Sequence, residues 1–333
     1  MPTKISRRAV IAAPVLATLP FARAAWSADG EWKPDHTLRI VVPQPPGGTT
    51  DVMARLLSTH LQQAWGQSVV VENKPGAGGA IGTMDVVRAT PDGHTILMGN
   101  VGAQSISYAL ERNLPYTPDD LIPVSNMIYG PNALVVHPTF PAKTVPEFID
   151  YIKSHPDKAN YGTPGIGQSP HLSAVLFDQM TGTRTTAVHY RGSGPVMTDL
   201  LAGSIQFAFN ALVNVVGPVN GGLLRMLAVT GAERYPTLPD IPTIRETMPE
   251  LKDFVVTSWV GAFLAKGTPA AAVAALNSQI KAMLEAPGQR ERFVTMGGLP
   301  GHSTSAGFAA FVLNETQRWS RVIRDAGIRS SPD

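Results

Sequence analysis

The chain has 333 residues, is 44% hydrophobic and 16% charged, and carries a formal net charge of +2. That balance excludes a disordered chain and leaves room for two packed domains. Cysteine is absent, which excludes disulfides, thiolate metal sites and a cysteine nucleophile.

Residues 1–24 read as a signal peptide. Lys4, Arg7 and Arg8 form a basic start, 9–21 is apolar, and Ala22-Arg23-Ala24 is a small-x-small cleavage site. The run Ser6-Arg7-Arg8-Ala9-Val10-Ile11 fits a twin-arginine export signal, with general secretion as the alternative route. Cleavage removes four basic residues and no acid, which takes the net charge to about −2. Nothing then points to nucleic acid. No later apolar run reaches the roughly 20 residues of a membrane span; the longest candidate, 255–265, contains Thr257 and Ser258.

From residue 38 onward, β-branched runs alternate with helical patterns. A strand at 38–42 leads to a helix at about 50–65, with Val52, Leu56, Leu57, Leu61 and Ala64 on its apolar side. Strands at 69–72 and 95–99 flank a helix near 81–88, a βαβ rhythm that implies a mostly parallel sheet. After a strand at 133–137, Thr144 and Glu147 form a capping box that opens a helix to about 155. Strands near 159–162 and 186–190, a helix near 195–202, and strands at 205–209 and 225–229 make a second set. Two α/β lobes are more economical than one very wide sheet. The proline-rich stretch 235–249 lacks periodicity and suits a connection between lobes. Helices near 270–284 and 305–326 follow.

Three glycine-rich loops could carry chemistry. Pro45-Pro46-Gly47-Gly48-Thr49-Thr50-Asp51 joins a strand to a helix, where unpaired N–H groups and the helix dipole favour an anion. Asp51 complements that dipole rather than touching an anion. A tight turn without ligand is the alternative. Lys74-Pro75-Gly76-Ala77-Gly78-Gly79-Ala80-Ile81-Gly82 also follows a strand, but Ile81 stands where a dinucleotide fingerprint needs glycine, and no acidic residue ends the next strand. It reads as a cleft rim or a plain turn, and no cofactor is expected. The segment from Tyr161 to His171 again leads from strand to helix, so two helix N-termini can face one carboxylate from opposite sides. Charge-assisted hydrogen bonds contribute about 1.5–3 kcal/mol each, so several amides and hydroxyls suffice without an arginine. Ser169 and His171 permit a hydrolase alternative, although the final glycine of G-x-S-x-G is missing; His171 suits a capping or packing role better. His36, His60, His94, His137, His155, His189 and His302 are scattered without ligand spacing, so no metal is expected.

The chain resembles the periplasmic solute receptors of tripartite tricarboxylate transporters, the Bug receptors. The resemblance covers nearly all of the chain after the signal and rests on PQPPGGTTDVMARLL (43–57), VVVENKPGAGGAIG (69–82), PDGHTILMG (91–99), NYGTPGIGQSPHL (160–172), HYRGSGPVMTDLLAG (189–203) and TLPDIPTIRE (237–246). Each is weak alone, and their order and spacing together are specific. The resemblance implies a two-lobed, type II-like α/β periplasmic binding fold with two inter-lobe crossings, near 122–129 and within 231–256. Lobe 1 would comprise 30–127 plus 250–333, and lobe 2 would comprise 128–249.

By the same resemblance, a small organic carboxylate meets Gly47, Gly48, Thr49 and Thr50 on one side and Thr163, Gly165, Gly167, Gln168 and Ser169 on the other. Gly99, Asn100, Ala103 and Asn210 lie nearby, and Tyr190 and Trp259 are candidate wall aromatics. The implied protein is a monomeric periplasmic receptor, not an enzyme, that serves membrane permease subunits; a ligand-sensing receptor for a signalling partner is the alternative. This chain departs from the family pattern at Gln44, Val175 and Asn210-Ala211. There the family commonly has an aromatic, a glutamate and an aspartate-asparagine pair. The missing acids point away from amino acids and toward a non-amino, aromatic or di-acid carboxylate.

Overall fold

A computed structural model describes Met1, residues 32–111 and residues 113–328; most of the expected signal peptide lies outside the described residues. The chain begins with β1 (Leu38–Val42), α1 (Thr49–Trp65), β2 (Val69–Asn73), α2 (Ala80–Val87) and β3 (Thr95–Asn100). A π-helical turn, Gly102–Ile106, runs into the short α3 (Ser107–Leu110). Strand β1 pairs in parallel with both β2 and β3. Leu38, Ile40, Val41 and Val42 are all fully buried, as expected of a central parallel strand covered on both faces. Helix α1 buries Met53, Ala54, Leu57 and Leu61 at helical spacing. Of the predicted apolar side, Leu57 and Leu61 are buried, Val52 and Leu56 are half-buried against the same core, and Ala64 is exposed.

The middle of the chain supplies β4 (Leu121–Val136), α4 (Val145–Ser154), β5 (Asn160–Thr163), α5 (Ser169–Thr181), β6 (Thr186–His189), α6 (Ser193–Leu201), β7 (Phe207–Ala211), α7 (Leu212–Asn220), β8 (Arg225–Val229) and α8 (Ile244–Thr247). Strand β9 (Thr257–Ala265), α9 (Ala270–Glu285), α10 (Gln289–Met296), β10 (Leu299–Pro300) and α11 (Ser305–Ala326) complete it. The strand order is β2-β1-β3-β9-β4-β7-β5-β6, with β8 and β10 also on β4.

Strand β4 organises the fold. Residues 121–131 pair antiparallel with β9, while 132–136 pair with β7 and β8. The sequence pattern predicts strand only at 133–137; Pro123 and Pro131 would ordinarily interrupt a longer ladder. Proline is tolerated at bulges, and Pro123 sits at a register shift. Strand β9 lies between β3 and β4, antiparallel to both, and so makes the sheet mixed rather than mostly parallel on this side. No predicted element corresponds to β9 or α7. Helix α7 contains Pro218, a residue that ordinarily ends a helix.

Helix α4 begins as predicted, with Thr144 Oγ1 accepting from the Glu147 N–H at 3.3 Å. The Glu147 carboxylate, however, accepts from the Lys143 N–H at 2.7 Å, not from Thr144. No helix among the described residues is long and apolar enough to cross a membrane.

Candidate functional site

The loop between β1 and α1 faces the loop between β5 and α5 across a cavity of about 70 Å³. Gln44, Pro45, Gly48, Thr49 and Thr50 line one side, with Asn100 and Val101 from the end of β3. Pro164, Gln168, Ser169 and Pro170 line the other, joined by Gly192, Ser193, Asn210, Ala211, Asn214, Ser258 and Val260. No ionisable side chain is among these residues.

Four helices start at this cavity. The N-caps of α1, α5, α6 and α7 are Gly48, Gln168, Gly192 and Ala211, and none of them accepts a side-chain cap hydrogen bond. The first N–H groups of a helix have no partner within it, and the dipole there favours negative charge. The cavity is therefore a convergence of uncapped donors without a formal cation.

The walls are held by hydrogen bonds within and between the loops. Asp51 Oδ2 accepts from the Gly47 N–H at 3.0 Å and from Arg55 Nε at 3.0 Å, and Asp51 Oδ1 accepts from Asn73 Nδ2 at 3.0 Å. Burial opposes the ionised form of Asp51, but the hydrogen bonds from Arg55, Gly47 and Asn73 outweigh it and keep the carboxyl below its usual range. Asn100 Nδ2 donates to Thr50 Oγ1 at 3.2 Å, and its Oδ1 accepts from the Ala103 N–H at 3.0 Å. Gln104 Oε1 accepts from the Asn100 N–H at 2.9 Å. On the facing side, Asn132 Nδ2 donates to Ser169 Oγ at 3.1 Å and to Ser173 Oγ at 2.9 Å. The Gly167 N–H donates to His171 Nδ1 at 3.3 Å. Burial, helped by the neighbouring His189, pushes His171 down to about 4, so the ring is a neutral acceptor at neutral pH.

Two glycines let the sides meet. A Cβ on Gly102 would lie 2.5 Å from Gln168 Oε1, and one on Gly192, at φ +108°, would lie 3.1 Å from Pro45 Cγ. At both positions the backbone itself is the contact surface.

Of the residues singled out in the sequence, Gly48, Thr49, Thr50, Asn100, Gln168, Ser169 and Asn210 line the cavity. Gly47, Ala103 and Gly167 stand behind it, each donating its N–H to a loop-holding side chain. Thr163 is fully buried and its Oγ1 donates to the Gly165 carbonyl at 3.3 Å. Gly99 packs against Gln104, and Gly165 faces an outer groove. Tyr190 turns away: its hydroxyl donates to Asp199 Oδ2 at 2.6 Å, and burial together with that carboxylate raises it to about 12. Trp259 is buried against Phe263, Phe308 and Phe311. It lines a separate void of about 20 Å³ that shares Thr49, Ala211, Ser258 and Val260 with the cavity, and its indole N–H finds no acceptor among the described residues. Val175 does not line the cavity.

Ser193, Asn214 and Ser258 also line the cavity and are not among the sequence candidates: Ser193 sits inside the 189–203 motif, two residues before the predicted helix, and Asn214 and Ser258 lie on α7 and β9, to which no predicted element corresponds. Asn214 Nδ2 donates to Asn210 Oδ1 at 2.9 Å, which joins these amides into one wall.

A hydrolytic pair does not form, because Ser169 Oγ bonds Asn132 and His171 bonds the Gly167 backbone. Two of the scattered histidines do meet in space. His36 and His94 stack at 3.6 Å beside Asp35, with ligand-type atoms within 4.8 Å of one another. Face-to-face rings direct their lone pairs in parallel rather than toward one point, an arrangement unsuited to chelation, and none of the three lines the cavity.

The sequence profile described as tripartite tricarboxylate transporter family receptor matches residues 53–328. The chain belongs to this family. It is 34% identical over 298 residues to protein BugT of Bordetella pertussis, an alignment covering 89% of this chain and 91% of that one. Among solved structures, an R. palustris protein with adipate is 33% identical with a TM-score of 0.85, covering 89% of this chain and 99% of that one. MatC of Rhodopseudomonas palustris with bound malate is 33% identical with a TM-score of 0.81, covering 87% and 99%. The α/β fold of this receptor family member is thus that of the family's binding proteins, and two of its structural neighbours hold carboxylates.

Proposed function

We propose that this family member is exported to the periplasm, captures a small organic carboxylate and presents it to the membrane permease subunits of a tripartite tricarboxylate-type transporter, acting as a monomer and without catalysis. The observation that carries this reading is the convergence of four uncapped helix N-termini on a cavity with no ionisable side chain among the described residues that line it. Such a site solvates an anion with backbone amides, hydroxyls and dipoles, in the way helix N-termini bind phosphate and carboxylate groups. The lobes are assigned as 30–127 plus 250–333 and 128–249, with the cavity between them. The adipate and malate held by structural neighbours support the ligand class.

The lining also argues for a ligand without an amino group. An ammonium buried here would find neutral oxygens but no carboxylate, and a buried charge without a counter-charge is costly. Calorimetry with adipate, malate, benzoate and aspartate tests this reading. Binding of at least one non-amino carboxylate, with aspartate weaker by roughly tenfold or more, is the expected result; tight aspartate binding with no response to the others would overturn it.

A further inference from the structure

The cavity shares Gln44, Pro45, Pro164, Gln168 and Gly192 with a much larger groove of about 2110 Å³. The charges of that groove are not balanced. Arg39 and Lys74 are neutralised by Glu72 and Asp85 in a network with N–O distances of 2.8–3.2 Å. Arg88, Arg191 and Arg324 also line the groove, and no ion pair holds any of them among the described residues. Against these three exposed guanidinium groups stands one unneutralised lining carboxylate, Glu111.

Cavity and groove therefore divide two physical tasks. Helix N-termini hold an anion at contact distance, because their field fades within the first turn. Unpaired guanidinium charges act over a Debye length, about 30 Å at 0.01 M salt and about 8 Å at physiological ionic strength. Arg191 stands at the junction, since the next residue, Gly192, caps α6, lines the cavity and approaches Pro45 across it.

We infer that the groove is an anion-collecting vestibule for the cavity, in which Arg191, supported by Arg88 and Arg324, draws organic carboxylates to the entrance and governs their rate of arrival without holding them once bound. This rests on the carboxylate reading of the cavity. Steering of this kind raises association rates and makes them fall with salt, and leaves dissociation nearly untouched.

Stopped-flow binding of adipate, malate and benzoate at 10 and 150 mM NaCl tests it, using the full chain, Arg191→Gln, Arg191→Lys and the triple change Arg88→Gln/Arg191→Gln/Arg324→Gln. The expected results are a roughly twofold to fivefold slower kon at low salt for Arg191→Gln with koff unchanged, recovery in Arg191→Lys, and loss of most of the salt dependence in the triple variant. An unaltered kon and salt slope in the triple variant, or a change confined to koff, would overturn the vestibule while leaving the cavity's ligand class intact. Failure of the unaltered protein to bind any of the three acids would overturn the carboxylate reading, and the vestibule with it.

Discussion

The helices α4 and α11 begin on threonines whose hydroxyls cap them, Thr144 from the Glu147 N–H and Thr304 from the Gly307 N–H. Helices α1, α5, α6 and α7 begin at the cavity on Gly48, Gln168, Gly192 and Ala211 with no such cap. Uncapped starts also occur away from the cavity, at Pro269 of α9 and Gly288 of α10, so a missing cap alone is not a signature. What distinguishes the cavity is that four uncapped starts meet in one place. In the first pair the chain satisfies its own donors; in the second set it leaves them for something else. The contrast teaches that this protein gives up local helix stability at the cavity, the place where a carboxylate is proposed to bind.

Changes to the residues that hold the uncapped loops in place should break the comparison most severely. Asp51→Ala removes the acceptor of the Gly47 N–H, Arg55 and Asn73, and the expected cost is about 2–3 kcal/mol of stability with roughly tenfold weaker carboxylate binding, read by denaturant unfolding and calorimetry.

Acid should act next, through His171. Its folded-state value of about 4 lies below the ordinary 6.5, so the unfolded chain takes up the proton first. Stability contributed by the neutral ring is complete above about pH 6.5, declines as pH falls toward 4 and is lost below it, a full change of roughly 3 kcal/mol. His171→Gln keeps a side-chain acceptor near Gly167 and should flatten that slope in a comparison of unfolding free energy at pH 7 and pH 4.5. The same slope in both proteins would show that His171 is not the responsible group.

The smallest effect belongs to the capped class. Thr144→Ala should cost about 1 kcal/mol of stability and leave ligand affinity unchanged, since neither Thr144 nor α4 lines the cavity. Weaker carboxylate binding in this variant would erase the distinction between the two kinds of helix start.

Much of this layout is legible in the sequence. Local patterns are self-announcing: the helix predicted at 305–326 matches Ser305–Ala326, and the glycine-rich turns at 45–51 and 163–169 lie where strand meets helix. The missing parts depend on partners distant in sequence. Pro123 and Pro131 hide β4, whose continuity comes from β9, β7 and β8. Strand β9 is an apolar run with no period to mark it, and nothing in its pattern assigns Ser258 to the site. The direction of an aromatic is likewise a packing outcome: Tyr190 is claimed by Asp199, and Trp259 by three phenylalanines.

The central claim is that the cavity helices are uncapped in order to hold a carboxylate. Gly48 tests it directly, because its backbone is extended (φ −88°, ψ 172°) and nothing lies within 4 Å of an added Cβ. Gly48→Asp supplies α1 with its own capping carboxylate. Thermal unfolding and calorimetry on one preparation should show stability unchanged or raised by about 0.3–1 kcal/mol and binding of adipate, malate or benzoate weakened by more than roughly tenfold. A variant that gains the cap and binds the same acids as tightly as before would contradict the account.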